Sequence, residues 1–218
     1  MTSIRKKICL AAAFILVLLT GCANEADSYP IMESIDSSTV ALEHAEYDTL
    51  KLSFPADGWT IIDGEFLAIT YDETSGTDSD VNITTQVVGK FPGKLSNKYR
   101  DNLAKAMEKN PGYLTLELME VRSLLGAPVI YCEATAAFTE EGLDALLKAK
   151  AITEENIEAM GGREALLSIP PSYQVTMYAV IDKQLVIYTG TYYDEAQKQP
   201  VIDALTVMIT TSSIHSSK

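Results

Sequence analysis

From residue 49 to residue 192 the chain changes rhythm repeatedly: apolar and polar positions alternate in twos, give way to spacings of four, and return to twos. The two-residue rhythm, enriched in β-branched and aromatic side chains, predicts strands at about 49–54, 65–71, 80–89, 113–122, 127–137, 172–182 and 184–192. Only Asp182-Lys183-Gln184 stands between the last two. So short a connection fits a tight hairpin, and the sheet is expected to be largely antiparallel.

Helical spacing takes over in three places. Leu95, Tyr99, Leu103 and Met107 recur at every fourth position and Asn110-Pro111-Gly112 stops them, which predicts a helix over 95–110 with one apolar stripe for the sheet. Near the end, Ala196, Val201, Ile202, Leu205 and Met208 do the same behind Asp194, a candidate N-cap. Proline is tolerated in a first turn but not in a helix interior, so this helix is expected to begin close to Pro200.

The third helical stretch, 139–167, falls between two strands and predicts two short helices. Leu143, Leu146 and Leu147 form the stripe of the first; Glu140, Glu141 and Asp144 suit its start, and Lys148 and Lys150 its end, as the helix dipole prefers. Thr153 caps the second, Ile157 and Met160 give it an apolar face, Gly161-Gly162 ends it, and Pro170-Pro171 returns the chain to strand. The insertion at about 139–170 reads as a helical hairpin covering one end of the sheet, or as a flap for a partner. Leu143, Leu146, Leu147, Ile157 and Met160 are its partner-binding candidates.

Ahead of this body lies a different pattern: Arg5-Lys6-Lys7, an apolar run from Ile8 to Leu19, then Leu19-Thr20-Gly21-Cys22. A basic start, a short apolar stretch and small residues at the cut mark a removable export signal, and the run is shorter than the roughly 20 residues of a spanning helix. Leu-Thr-Gly-Cys resembles the bacterial lipobox, which implies cleavage before Cys22 and a diacylglycerol on its thiol. The division expected is therefore a signal peptide over 1–21, a lipidated cysteine and flexible tether over 22–48, and a single α+β domain over 49–214. The location expected is the extracytoplasmic face of a cell membrane.

Charge narrows the partners. The chain carries a net charge of −13, and residues 1–21 hold three basic residues and no acid, so processing leaves a still more acidic protein. Nucleic-acid binding needs a basic footprint and anionic lipid headgroups attract polybasic segments, so neither partner is expected and the body is expected to stand off the membrane. Cys9 leaves with the signal and Cys22 carries lipid, which leaves Cys132 without a partner in its own chain. An unflanked cysteine in a strand-like run reads as a small buried hydrophobe. The two histidines, His44 and His215, fall in the expected tether and tail, so no histidine-based nucleophilic or zinc site is expected. The acidic run Asp72-Glu73-Thr74-Ser75-Gly76-Thr77-Asp78-Ser79-Asp80 lacks EF-hand order and reads as a solvated loop. Neither a catalytic residue, a metal site nor a cofactor is expected.

Leu52-Ser53-Phe54-Pro55-Ala56-Asp57-Gly58-Trp59 resembles the strand and Pro-x-x-Gly-Trp opening of the PsbP-like domains, which include bacterial DcrB-like lipoproteins. The order that follows is similar over about 49–212, apart from the insertion. The resemblance implies an α+β sandwich, Trp59 as a packing anchor, and binding or assembly rather than catalysis. The expectation is a lipid-anchored binding module for a protein or envelope component; the alternative is a carrier of a small apolar ligand under a helical lid.

Overall fold

Asp182 and Lys183, with φ of 47° and 65°, make a two-residue turn in the tight hairpin expected between the last long strands, and Leu125 and Gly126, with φ of 49° and 83°, make a second such turn. Such turns match the twist of paired strands, and they organise the structure, a computed structural model that describes residues 29–62, 67–71, 81–109 and 113–215. The leader, Cys22 and the acidic run 72–80, read above as a solvated loop, lie outside those residues. The strands are β1 (Ile31–Met32), β2 (Leu42–Tyr47), β3 (Leu50–Pro55), β4 (Trp59–Ile62), β5 (Leu67–Tyr71), β6 (Asn82–Lys90), β7 (Leu114–Leu124), β8 (Ala127–Ala136), β9 (Ser172–Ile181), β10 (Gln184–Tyr192) and β11 (Ser213–Ile214). The helices are α1 (Asn97–Lys109), α2 (Glu140–Lys148), α3 (Glu154–Ala159), α4 (Arg163–Leu167) and α5 (Glu195–Thr211).

Among the described residues an eight-stranded sheet runs β1-β7-β8-β9-β10-β6-β5-β4, and a three-stranded sheet runs β11-β3-β2. Every pairing is antiparallel except that of β1 with β7. The α+β class and the largely antiparallel sheet packed by helices are thus as expected.

Period-two burial decides which face each side chain takes. One face of the large sheet presents Val129, Tyr131, Val175, Met177, Val186 and Tyr188 to α5, and the small sheet adds Leu50, Leu52 and Phe54. The other face presents Val121, Ile130 and Leu185 to Leu95 and Tyr99 at the start of α1. Trp59, 5.1 Å from the Tyr71 ring, is a buried anchor where the chain passes from the small sheet to the large one. Gly58, with φ of 76°, makes that passage beside the Tyr71 ring.

Three expectations change. The stretch 22–48 is not all tether: β1 and β2 lie within it, and Met32 and Ala45 enter the main core. The insertion holds three helices rather than two, because Gly161 and Gly162 (φ 101° and 88°) turn the chain directly into α4. Finally, α5 begins at Glu195, with Pro200 inside it. The missing N–H of Pro200 is offset at the helix start by a capping box, in which Asp194 accepts from the Ala196 amide and the Gln197 side chain accepts from the Asp194 amide. Beyond Pro200 the helix is held by burial of Val201, Leu205 and Met208.

Candidate functional site

The insertion builds a small interior of its own. Thr139 caps α2 through the Gly142 amide (3.0 Å), and Thr153 with Asn156 forms a capping box on α3. Leu143, Ile157 and Leu166, one from each helix, are fully buried together, with Leu147, Met160 and Phe138 packed around them. Arg163 then fastens α4 to α2, donating to Glu140 and Asp144, both at 2.5 Å. The residues named above as partner-binding candidates are therefore placed differently from a contact surface. Leu143 and Ile157 are interior, Leu147 and Met160 line the same cluster, and Leu146 is half-buried. Their apolar spacing is real, but three helices close it upon itself. What the insertion shows to solvent is mostly acid: seven acidic against three basic residues over 139–167.

At the foot of the insertion, the α5 face of the large sheet continues past the start of that helix. Here β7, β8, β9 and β10 carry Leu118, Glu133, Tyr173 and Tyr192. Leu118 is the register partner of Glu133, and Thr135 is the register partner of Tyr173. Tyr173 stacks on Tyr192 at 5.5 Å between centroids, and Tyr173 and Leu118 stay exposed, at 39 % and 37 %. Arg122, two residues along the face from Glu120, lays its guanidinium 3.7 Å from the centre of the Tyr131 ring and pairs with Glu120 at 2.5 Å. Tyrosine and arginine are among the residue types enriched at protein-binding surfaces.

Glu133 ties this face together. It accepts from the Tyr131 hydroxyl at 2.6 Å and from Lys198 Nζ of α5 at 3.0 Å. Burial pushes its carboxyl up, but the two hydrogen bonds and the charges of Lys198 and Arg122 outweigh that and hold it below the usual glutamate range. The same environment keeps Tyr131 protonated, through burial first and then through Glu133, and pushes Tyr192 up to about 12. The group is thus an ion pair that accepts from the Tyr131 hydroxyl and keeps its charge near neutrality.

A lowered folded pKa adds stability above the unfolded value, about 4.3 for glutamate, and that stability is lost as pH falls through the folded value. Replacing Lys198 with methionine is expected to raise the Glu133 pKa, and so to move acid-side loss of stability to higher pH. A carboxyl carbon titration by NMR checks this, and an unmoved Glu133 midpoint would show that Lys198 is not its partner in solution.

Two sequence-named groups have ordinary surroundings. His44 lies on β2 rather than in a tether, directly opposite Ser53 in register, and its Nδ1 is 2.8 Å from Ser53 Oγ. Cross-strand register is enough to place that pair. Cys132 is buried, and desolvation pushes its thiol up to about 12, which suits a small hydrophobe. Neither the Glu133 pair nor the tyrosine face is visible in the sequence, because Arg122, Glu133, Tyr173 and Lys198 are distant along the chain and only sheet order brings them together.

The fold can be set beside known proteins. No protein-family model matches the chain, and no curated protein matches it either. Solved structures with a similar course include LpqN of Mycobacterium tuberculosis, described as involved in cell envelope biogenesis: 11 % identity, 80 % of this chain and 89 % of that one, TM-score 0.43. The cyanobacterial PsbP of Synechocystis shares 10 % identity over 90 % of this chain and 99 % of its own, TM-score 0.40. The Saccharomyces cerevisiae Ran-binding protein Mog1p shares 6 % identity over 80 % and 96 %, TM-score 0.46. At these identities and scores none of them bears on what this chain binds. No helix among the described residues is long and apolar enough to cross a membrane.

Proposed function

We propose that this chain is a lipid-anchored, extracytoplasmic binding or assembly module that takes hold of a protein or envelope component through the sheet face at the foot of the insertion. The observation that carries the reading is the grouping of exposed Tyr173 and Leu118 with Arg122 and the Lys198–Glu133 pair on β-strands that cannot easily move. A carrier with the insertion as lid would need the insertion's apolar side chains to be free for a ligand; here they fill their own interior. The anchoring half of the proposal rests on the Leu19-Thr20-Gly21-Cys22 motif behind a basic, apolar leader.

Two arms test the proposal. In cells fed an alkyne-tagged fatty acid, the full chain is expected to take up the tag and Cys22→Ala to lose it; equal labelling of both would end the anchoring reading. For binding, a photo-crosslinking amino acid at position 173 is expected to give a discrete adduct in intact cells. Arg122→Ala should weaken it about tenfold, the loss of one hot-spot side chain. Adducts only from position 155 on α3, and none from 173, would move the site to the insertion.

A further inference from the structure

One end of the large sheet gathers lysines that the chain as a whole does not favour. The turns at Leu125-Gly126 and Asp182-Lys183 lie side by side there, two strand spacings or about 10 Å apart. The Phe91 amide donates to the Lys183 carbonyl at 2.7 Å, which brings the segment 90–94 to the same end. Lys90, Lys94, Lys98 and Lys183 are all exposed. Lys98 stands in the first turn of α1, which holds no acid, against the preference of the helix dipole. Acids on the same segments are Asp101, one turn on from Lys98 in α1 and paired with Arg100 at 2.7 Å, Glu33, two residues past Ile31, and Asp182, whose carboxylate accepts from the Ile214 amide at 2.7 Å.

The same end carries the two most exposed large apolar side chains among the described residues, Ile31 at 86 % and Leu125 at 76 %. Leu125 is placed there with φ of 49°, a conformation that turns normally give to glycine or asparagine. Ile31 pairs in register with Ser123, two residues before Leu125. The chain also enters here: Tyr29 packs on the α1 side of the sheet, and the seven-residue step from Cys22 to Tyr29 spans at most about 25 Å when extended.

We infer that this end of the sheet, with exposed Leu125 and Ile31 at its β1-β7-β8 side and Lys183, Lys90, Lys94 and Lys98 further along it, rests on an anionic phospholipid surface. Apolar insertion and lysine attraction to anionic headgroups act together at such a surface. The large sheet then stands upright, with the insertion at its far end, about 30 Å or more from the lipid by strand length. The inference rests on anchoring through Cys22, because only a short leash delivers this corner to the bilayer.

The test uses the full lipidated chain in vesicles of phosphatidylcholine with about a quarter phosphatidylglycerol, with an environment-sensitive fluorophore on Leu125→Cys or on Glu155→Cys. Buried Cys132 stays unlabelled. Headgroup-attached nitroxide lipids are expected to quench the label at 125 by about half or more and to leave the label at 155 bright. Raising salt from about 0.1 M to about 1 M, which shortens screening from about 10 Å to about 3 Å, should relieve the quenching while the protein still floats with the vesicles. The combined variant K90E, K94E and K183E should do the same at low salt. Equal quenching at both positions, or none at 125 in floating protein, overturns the inference and leaves the anchor standing. Failure of the protein to float overturns the anchor and this inference together. Shielding at 125 that follows protein density in neutral vesicles would assign the corner to a second copy of the chain and reject the lipid.

Discussion

Gly190→Ala is expected to destabilise the fold by about 3 kcal/mol, a fall in melting temperature of roughly 6–12 °C for a domain of this size. Gly190 lies on β10 under α5, where an added methyl group would sit 2.2 Å from Val201 Cγ1 and 3.4 Å from Leu205 Cδ1. Valine is stiff at χ1, so the helix would have to lift. Lifting would also strain the end of α5, where Tyr188 and Ser212 share a hydrogen bond of 2.6 Å and the Ser53 amide donates to Thr211 Oγ1 at 2.9 Å. Adding Val201→Ala should restore part of the loss, because neighbours in contact are not additive. A single variant that melts with the parent would mean that α5 does not sit on β10 as closely as described.

The second large effect concerns the insertion. Leu143 is fully buried in a cluster drawn from the insertion and the adjoining Phe138, and truncating such a leucine costs about 2–5 kcal/mol. A three-helix appendage with so small an interior has little more than that to lose. In Leu143→Ala the amides of α2, α3 and α4 are expected to lose hydrogen-exchange protection, while those of β8, β9 and β10 keep theirs. Loss of protection throughout the sheet would show that the insertion and the body unfold as one unit. The outcome bears on function, because a partner held by Tyr173 and Arg122 should still crosslink when the insertion is melted.

The long strands β6 to β10 and helix α1 were legible in the sequence because each buries one face, and burial of one face is what writes a period of two or four. Where burial is sparse the signal vanishes. In β2 only Ala45 is buried among Leu42–Tyr47, so a strand carrying His44, Glu43 and Glu46 reads as tether. The two-residue strands β1 and β11 are too short for any period and exist because β7 and β3 offer them partners. The insertion shows the opposite failure. Its stripes are helical, as their spacing predicts, but spacing reveals that a face is apolar and not what lies against it; here Leu143, Ile157 and Leu166 lie against one another. The face carrying Glu133 was silent for a third reason: its charges are far apart in sequence, and each alone resembles a solvated residue.

The edge of the large sheet has a consequence for strand pairing between copies of the chain. Among the described residues only Ser123 and Leu124 of β7 are paired with β1, and most of the strand's outer backbone is joined to no other described strand, the usual template for aggregation. The bulge between Leu116 and Leu118 breaks the regular ladder there, and the charged Glu117, Glu120 and Arg122 stand along the same strand. A guest strand would meet broken register and would have to strip water from charges. Copies of the chain at high local concentration can therefore stand beside one another without zipping together along this border.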